Sequence, residues 1–320
     1  MMGDARMKSN SRREFLRRAA AGIAGCLAGS ALLGAGASSA SADPLDLPIG
    51  VQLYTVEAEL KKSFFSTLKR VALIGFKEIE MAGFYDKTAE DLRKSFDELR
   101  LRCPSAHCVR TEQSDNEILR TADFCLELGA EYMVCASPSL RDPDRRAAAA
   151  APGASMDDMM TLDDWRWNAE RLNQIGALLQ KSGMRFAYHN HNHEFTNYGG
   201  TIAYDELLRL TDPKLVAFEM DCGWVVAAGY DPVKYLEKFP QRIQMLHIKD
   251  EKAGYKPSMG SDAAPTTEIG RGMVDWRRLF TAAQFASVRH YFVEQEPPFV
   301  EMPVFEALRV SFDYLHSLHI

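Results

Sequence analysis

Short apolar, strand-like runs recur along this chain at 49–54, 78–81, 101–106, 132–136, 185–189, 215–221, 243–248 and 291–294, most of them about 25 to 30 residues apart. Helical patterns lie between them. Phe64, Phe65, Leu68, Val71 and Ala72 make one apolar face that Gly75 closes. Thr88-Ala-Glu-Asp91 and Thr161-Leu-Asp-Asp164 read as capping boxes that open helices. Strands that alternate with helices build a parallel sheet, because a parallel neighbour is reached only through a crossover. Eight such units in one chain predict an α/β fold, a (β/α)8 TIM barrel, as one domain over 43–320. Two gaps are longer, 140–160 and 251–273, and both follow strands. They are expected to be loops on the C-terminal face of the barrel, where long loops cover a site.

The first 42 residues read as a leader. Ser11-Arg12-Arg13-Glu14-Phe15-Leu16 is a paired-arginine element, an Ala/Gly-rich run follows, and Ala40-Ser41-Ala42 is a small-x-small cleavage site. This order is that of a twin-arginine signal peptide and predicts a periplasmic or secreted barrel. Five glycines interrupt the run, so no membrane span is expected. Lipidation at Cys26 is the alternative, from Ile23-Ala24-Gly25-Cys26. The leader carries six Lys/Arg and two Asp/Glu, so its removal takes the net charge from −6 to −10. A chain this acidic is a poor partner for nucleic acid or an anionic membrane surface. The remaining cysteines, Cys103, Cys108, Cys125, Cys135 and Cys222, are odd in number and hold no CxxC pair. They do not form a disulfide framework, though Cys103 and Cys108 are close enough in sequence to pair.

A barrel of this kind builds its site from strand C-termini. Here the second strand carries Glu80, the third ends in Ser105-Ala-His107, and the fifth in His189-Asn-His191. The sixth ends in Glu219-Met-Asp221, the seventh in His247-Ile-Lys249-Asp250 and the eighth in Glu294-Gln-Glu296. One such group is ordinary at a strand end; successive strands each offering a ligand-type side chain are not. Mixed carboxylate and imidazole donors suit one divalent metal, Mn, Zn or Co. A metal there can bind vicinal sugar oxygens and polarise a carbonyl, while a remaining base moves a proton at the adjacent carbon.

At these residues the chain resembles the sugar phosphate isomerase/epimerase family, the xylose isomerase-like barrels. The resemblance is carried by GFKEIE (75–80), SAH (105–107), YHNHNHEF (188–195), DCGW (221–224), HIKD (247–250), GRGMVDW (270–276) and VEQE (293–296). It implies a metal held by one residue each from strands five to eight, which by position are His189, Asp221, His247 and Glu294. Related branches use Glu on strand five, and Glu194 is the alternative to His189. The resemblance places His191 where lyase-like relatives have a catalytic base. It gives Glu80 and His107 to the substrate, with Lys249, Glu296 and Trp224 as further contacts; Trp276 is a second candidate wall.

The expected function is a metal-dependent sugar isomerase, epimerase or lyase. It would abstract a proton next to a carbonyl on a small carbohydrate, and export favours an unphosphorylated sugar, keto-sugar or keto-glycoside. The other readings are a non-catalytic sugar- or metal-binding barrel and a metal-dependent phosphodiesterase or endonuclease; the acidic charge weighs against the last.

Overall fold

The computed structural model describes residues 43–260 and 265–320. The paired arginines, the cleavage site and Cys26 lie outside the described residues. Eight strands run in chain order: β1 (Gly50–Gln52), β2 (Glu78–Ala82), β3 (Arg102–Val109), β4 (Tyr132–Cys135), β5 (Arg185–His189), β6 (Ala217–Asp221), β7 (Ile243–Ile248) and β8 (His290–Val293). They close a barrel in the order β1-β8-β7-β6-β5-β4-β3-β2, and every adjacent pair is parallel. A principal helix follows each strand: α1 (Phe64–Ile74), α2 (Ala89–Leu99), α3 (Asp115–Leu128), α4 (Leu162–Ser182), α5 (Ala203–Leu210), α6 (Pro232–Lys238), α7 (Trp276–Ala283) and α8 (Val304–His316). No helix among the described residues is long and apolar enough to cross a membrane.

The apolar side chains divide by strand face. Tyr132, Val134, Ala187, Ala217, Met245 and Phe292 fill the barrel interior as one cluster. The larger cluster, with Met133, Tyr188, Phe218 and Leu246, packs strands against helices. At the N-terminal end of the interior, buried Glu78 pairs with Arg102 and accepts from His290, whose Nδ1 lies 2.8 Å from Glu78 Oε2. That end of the barrel is therefore closed by its own polar network, which leaves the C-terminal mouth for chemistry.

Local details depart from the sequence expectations for identifiable reasons. On α1 the buried face is Thr67, Leu68, Val71 and Ile74, while Phe65 points outward. Gly75 ends the helix at φ 134°, and a Cβ there would collide with the Phe312 ring of α8. Thr161 forms a full capping box with Asp164. Thr88 caps α2 by accepting from Asp91 N–H, but Asp91 returns to the Thr88 hydroxyl at 2.8 Å rather than to its backbone. The 140–160 segment is not a bare loop: it folds into short helices at Pro143–Ala149 and Met156–Met159, and Arg145 ties them to buried Asp164 of α4 at 2.9 Å. In the second long gap Asp250–Glu251 pairs antiparallel to Thr266–Thr267. Cys103 and Cys108 are free and do not pair. The β3–β4 register shifts between His107 and Val109, and the inserted Cys108 instead lies 3.8 Å from Cys125 of α3, sulfur to sulfur.

Candidate active site and metal centre

Residues two apart on a strand share a face, so Glu219 and Asp221 of β6 both enter the mouth. Two donor groups meet there and share His247: His107, His189, Glu219 and His247 in one, Asp221, His247 and Glu294 in the other. Within each group one ligand-capable atom per residue lies within 4.8 Å of the rest. The structure thus brings His189, Asp221, His247 and Glu294 to one mouth, across two overlapping sets. It adds Glu219, a strand-end acid visible in the sequence but passed over there for Asp221; the two-residue alternation was the signal that both face inward.

His247 is held from both ring nitrogens. Its Nε2 lies 2.7 Å from Glu80 Oε2, and its Nδ1 lies 3.0 Å from Glu294 Oε2 and 3.7 Å from Asp221 Oδ2. A carboxylate on the far nitrogen is the arrangement that orients a metal-binding imidazole. Glu80 supplies it. This carboxylate is fully buried, accepts from the Gln52 amide at 2.7 Å and from the Ser105 hydroxyl, and lies 3.2 Å from His107 Nε2. Glu80 therefore positions His247 and His107, and like them it stands at the mouth where the substrate contact is expected.

Lys249 is buried among carboxylates, with Nζ 3.0 Å from Asp221, 2.9 Å from Glu294 and 2.7 Å from Glu296. It stands 4.6 Å over the Trp224 ring. Burial opposes its charge, but these carboxylates outweigh that and hold the ammonium well above its ordinary range. Burial likewise opposes ionisation of Glu294, yet Lys249 and His247 pull it below the usual carboxylate range. His107 sits between Glu219 at 2.7 Å and Glu80; burial resists its charge, and the two carboxylates push it up to about 10. Burial, then the nearby charge of Glu80, raises Glu219 to about 7. Burial drives His189 and His191 the other way, well below the ordinary imidazole value, with neighbouring cationic groups adding to it.

The rest of the histidine-rich segment forms a separate group. His191, His193 and Glu194 lie together. Glu194 accepts from the Tyr188 hydroxyl at 2.6 Å and from the His191 backbone N–H at 2.9 Å. The structure does not bring it to Asp221, His247 and Glu294, so Glu194 organises the turn after β5. His193 stacks on Trp165 with ring centroids 5.8 Å apart. His191 faces His189 and Trp224 at centroid distances of 5.1 and 5.7 Å. Trp276 belongs to the packing: its Nε1–H donates to Asp250 at 2.9 Å.

The donor set fits a divalent ion. It mixes imidazole nitrogen with carboxylate oxygen, which suits Zn²⁺, Mn²⁺ or Co²⁺. Glu219 Oε1 is buried without a hydrogen-bond partner, and buried His189 Nδ1 has only an approach of 3.3 Å to Glu219 Oε2. Such atoms are costly unless something polar meets them.

Comparison with known proteins agrees with this architecture. A family model for the xylose isomerase-like TIM barrel matches residues 68–311. An inosose dehydratase of Clostridium beijerinckii is 28% identical over 235 residues, covering 69% of this chain and 77% of that protein. The crystal structure of a sugar phosphate isomerase/epimerase from Parabacteroides distasonis superposes with a TM-score of 0.68 at 26% identity, over 84% of this chain and 94% of that one. A zinc-bound IOLI protein shares the fold at 14% identity and a TM-score of 0.63, over 83% of this chain and 96% of that one.

Proposed function

The chain belongs to the xylose isomerase-like TIM barrel family, and from that premise we propose that it is a divalent-metal-dependent enzyme that removes a proton next to the carbonyl of an unphosphorylated sugar. The observation that carries this reading is His247, clamped by Glu80 on Nε2 while its Nδ1 faces Asp221 and Glu294. Asp221, His247 and Glu294, with His189 or Glu219, would hold the ion. When bound, the ion supplies electrophilic polarisation of the substrate carbonyl and so acidifies the neighbouring C–H.

The surrounding residues do the rest. Lys249 fixes the Asp221, Glu294 and Glu296 carboxylates, all within 3.0 Å of its ammonium. His191 is the base. Its Nδ1 is buried without a hydrogen-bond partner, and it stands beside His189 without belonging to either donor group at the mouth. A positioned base of this kind contributes roughly 10²–10⁴-fold to a proton transfer. His107, between Glu80 and Glu219 and with its ring 4.9 Å from that of His189, would return a proton or hand one to a leaving hydroxyl. That pairing favours elimination as the outcome after proton abstraction, in keeping with the dehydratase named among the relatives. Delivery of a proton to the opposite face of the same carbon gives epimerisation instead.

Incubation of the metal-loaded protein with keto-sugars and 3-keto-glycosides in D₂O, followed by NMR, tests the proposal. Deuterium should enter at the carbon next to the carbonyl. His191→Asn should lose this exchange by about 100-fold or more while metal content stays near that of the wild type. A barrel that binds sugar and metal without exchange is a binding protein and not this enzyme.

A further inference from the structure

The turn after β5 carries a second group of metal-type donors, apart from those built around His247. One ligand-capable atom each of His191, His193 and Glu194 lies within 4.8 Å of the other two. The spacing inside the group is that of a coordination shell rather than a hydrogen bond. His193 Nε2 lies 3.4 Å from Glu194 Oε2, yet this buried nitrogen makes no hydrogen bond. Two donors on one tetrahedral zinc, with bonds of 2.0–2.1 Å, stand about 3.4 Å apart. His191 Nδ1 is likewise buried without a hydrogen-bond partner.

The surroundings set each donor for a cation. Glu194 accepts from the Tyr188 hydroxyl on Oε1 and from the His191 backbone N–H on Oε2, so both oxygens act as acceptors and Oε2 keeps a second lone pair. On the far side of the His193 ring, Nδ1 faces Asp157 Oδ2 at 3.6 Å, from the short helix Met156–Met159. A proton on Nδ1 serves that carboxylate and leaves Nε2 as a lone pair turned toward Glu194. A carboxylate behind an imidazole is the arrangement that orients a metal-binding histidine. Two lone pairs that face each other in a buried place repel unless a cation stands between them. His191 is only partly buried, which gives the group a path to solvent. Two imidazoles and one carboxylate, with a fourth position left for water, suit Zn²⁺ above Mn²⁺.

We propose that His191, His193 and Glu194 bind a second zinc ion, weaker than the one at the mouth, and that this ion inhibits proton transfer by taking the lone pair of His191. The inhibition rests on the proton-abstraction reading, in which His191 is the base; the ion site does not. The second ion is the weaker because its three donors come from one turn and because two dications so near each other repel. It fills only in excess zinc and leaves on desalting.

Zinc titration of the tag-free, metal-stripped protein against a competing chelator tests the site. The wild type should take up two ions per chain, the second about 100-fold or more weaker than the first. Asp157→Asn should weaken the second step alone, by about tenfold or more. His193→Phe, which keeps a ring on Trp165, should remove that step and leave the first. Deuterium exchange into a 3-keto-glycoside then tests the inhibition. At a free zinc concentration about ten times the second Kd, the wild-type rate should fall about tenfold from its value with the first site alone filled. His193→Phe should show the same rate at both concentrations. One ion per chain in the wild type, or a second step that both variants keep intact, would overturn the site. Undiminished exchange with the second step filled, or equal inhibition of His193→Phe, would overturn the inhibition. No exchange at any zinc concentration would sink the proton-abstraction reading and the inhibition with it, while the two binding steps would still decide the site.

Discussion

Glu80 shows what a single residue decides here and how much of that the sequence discloses. A carboxylate near the end of a barrel strand is legible as a site residue, but its partners are not. That it meets His247 and His107 depends on the β2–β3 register, which shifts between Glu78 and Glu80. Glu80→Gln keeps the shape and removes the charge. Loss of such a partner to a metal-binding histidine costs about 10–100-fold in metal affinity. A metal titration of the variant should show that loss with the far-ultraviolet CD spectrum unchanged; unchanged affinity would mean that Glu80 does not orient His247. The choice on β5 was equally out of reach of the sequence. His189 and Glu194 are five residues apart, and only the 3-10 turn at His193–Phe195, which delivers Glu194 to the Tyr188 hydroxyl, separates them.

Among the elements, the connection after β7 is organised by one carboxylate. Asp250 accepts from the backbone N–H groups of Gly270, Gly272 and Val274 at 2.9, 3.2 and 3.1 Å, and from Trp276 Nε1 at 2.9 Å. It is fully buried. In sequence it is the last letter of HIKD and reads as a site residue; in the fold it fastens the far end of a long loop to the start of α7. Asp250→Ala leaves several buried donors unpaired and should destabilise the barrel by about 3 kcal/mol, measured by urea denaturation. A loss below about 1 kcal/mol would show that the loop holds without this anchor. A second inter-element contact sets a pH dependence. Glu206 of α5 meets Arg209 on its own helix at 2.8 Å and Arg166 of α4 at 3.0 Å. Arg209 chiefly, against some burial and with help from Arg166, lowers the carboxyl from 4.5 to about 2. A folded-state value below the unfolded one contributes stability above pH 4.5 that is lost as pH falls toward 2. Both arginines are largely exposed, so solvent screening limits the contribution to about 1 kcal/mol. Glu206→Gln should cost that much at pH 7 and almost nothing near pH 2; an equal cost at both would assign the effect to packing.

At the scale of the whole molecule, the barrel was legible because its cause is periodic. Eight strand–helix units repeat one physical rule, and each strand end then falls on the same face. What did not follow was any feature set by one contact across the repeat, such as the Cys108 insertion in β3 or the helices inside 140–160. The same repeat makes one last outcome calculable. The donors come from β3, β5, β6, β7 and the residue after β8, so an ion bound among them ties together strands that the chain joins only through helices. An ion that binds the folded barrel and not the unfolded chain stabilises it by mass action, by about 2.7 kcal/mol at a free concentration one hundred times Kd. For a chain of this size that is a rise in Tm of roughly 4–5 °C. Chelation should remove the rise, and Zn²⁺, Mn²⁺ or Co²⁺ should restore it. His247→Ala should abolish the metal-dependent shift, because both donor groups lose their shared member, while the variant still unfolds in one transition. A wild-type melting curve indifferent to all three ions and to chelator would show that the mouth is not a metal centre, and the four carboxylates and three imidazoles gathered there would need another explanation.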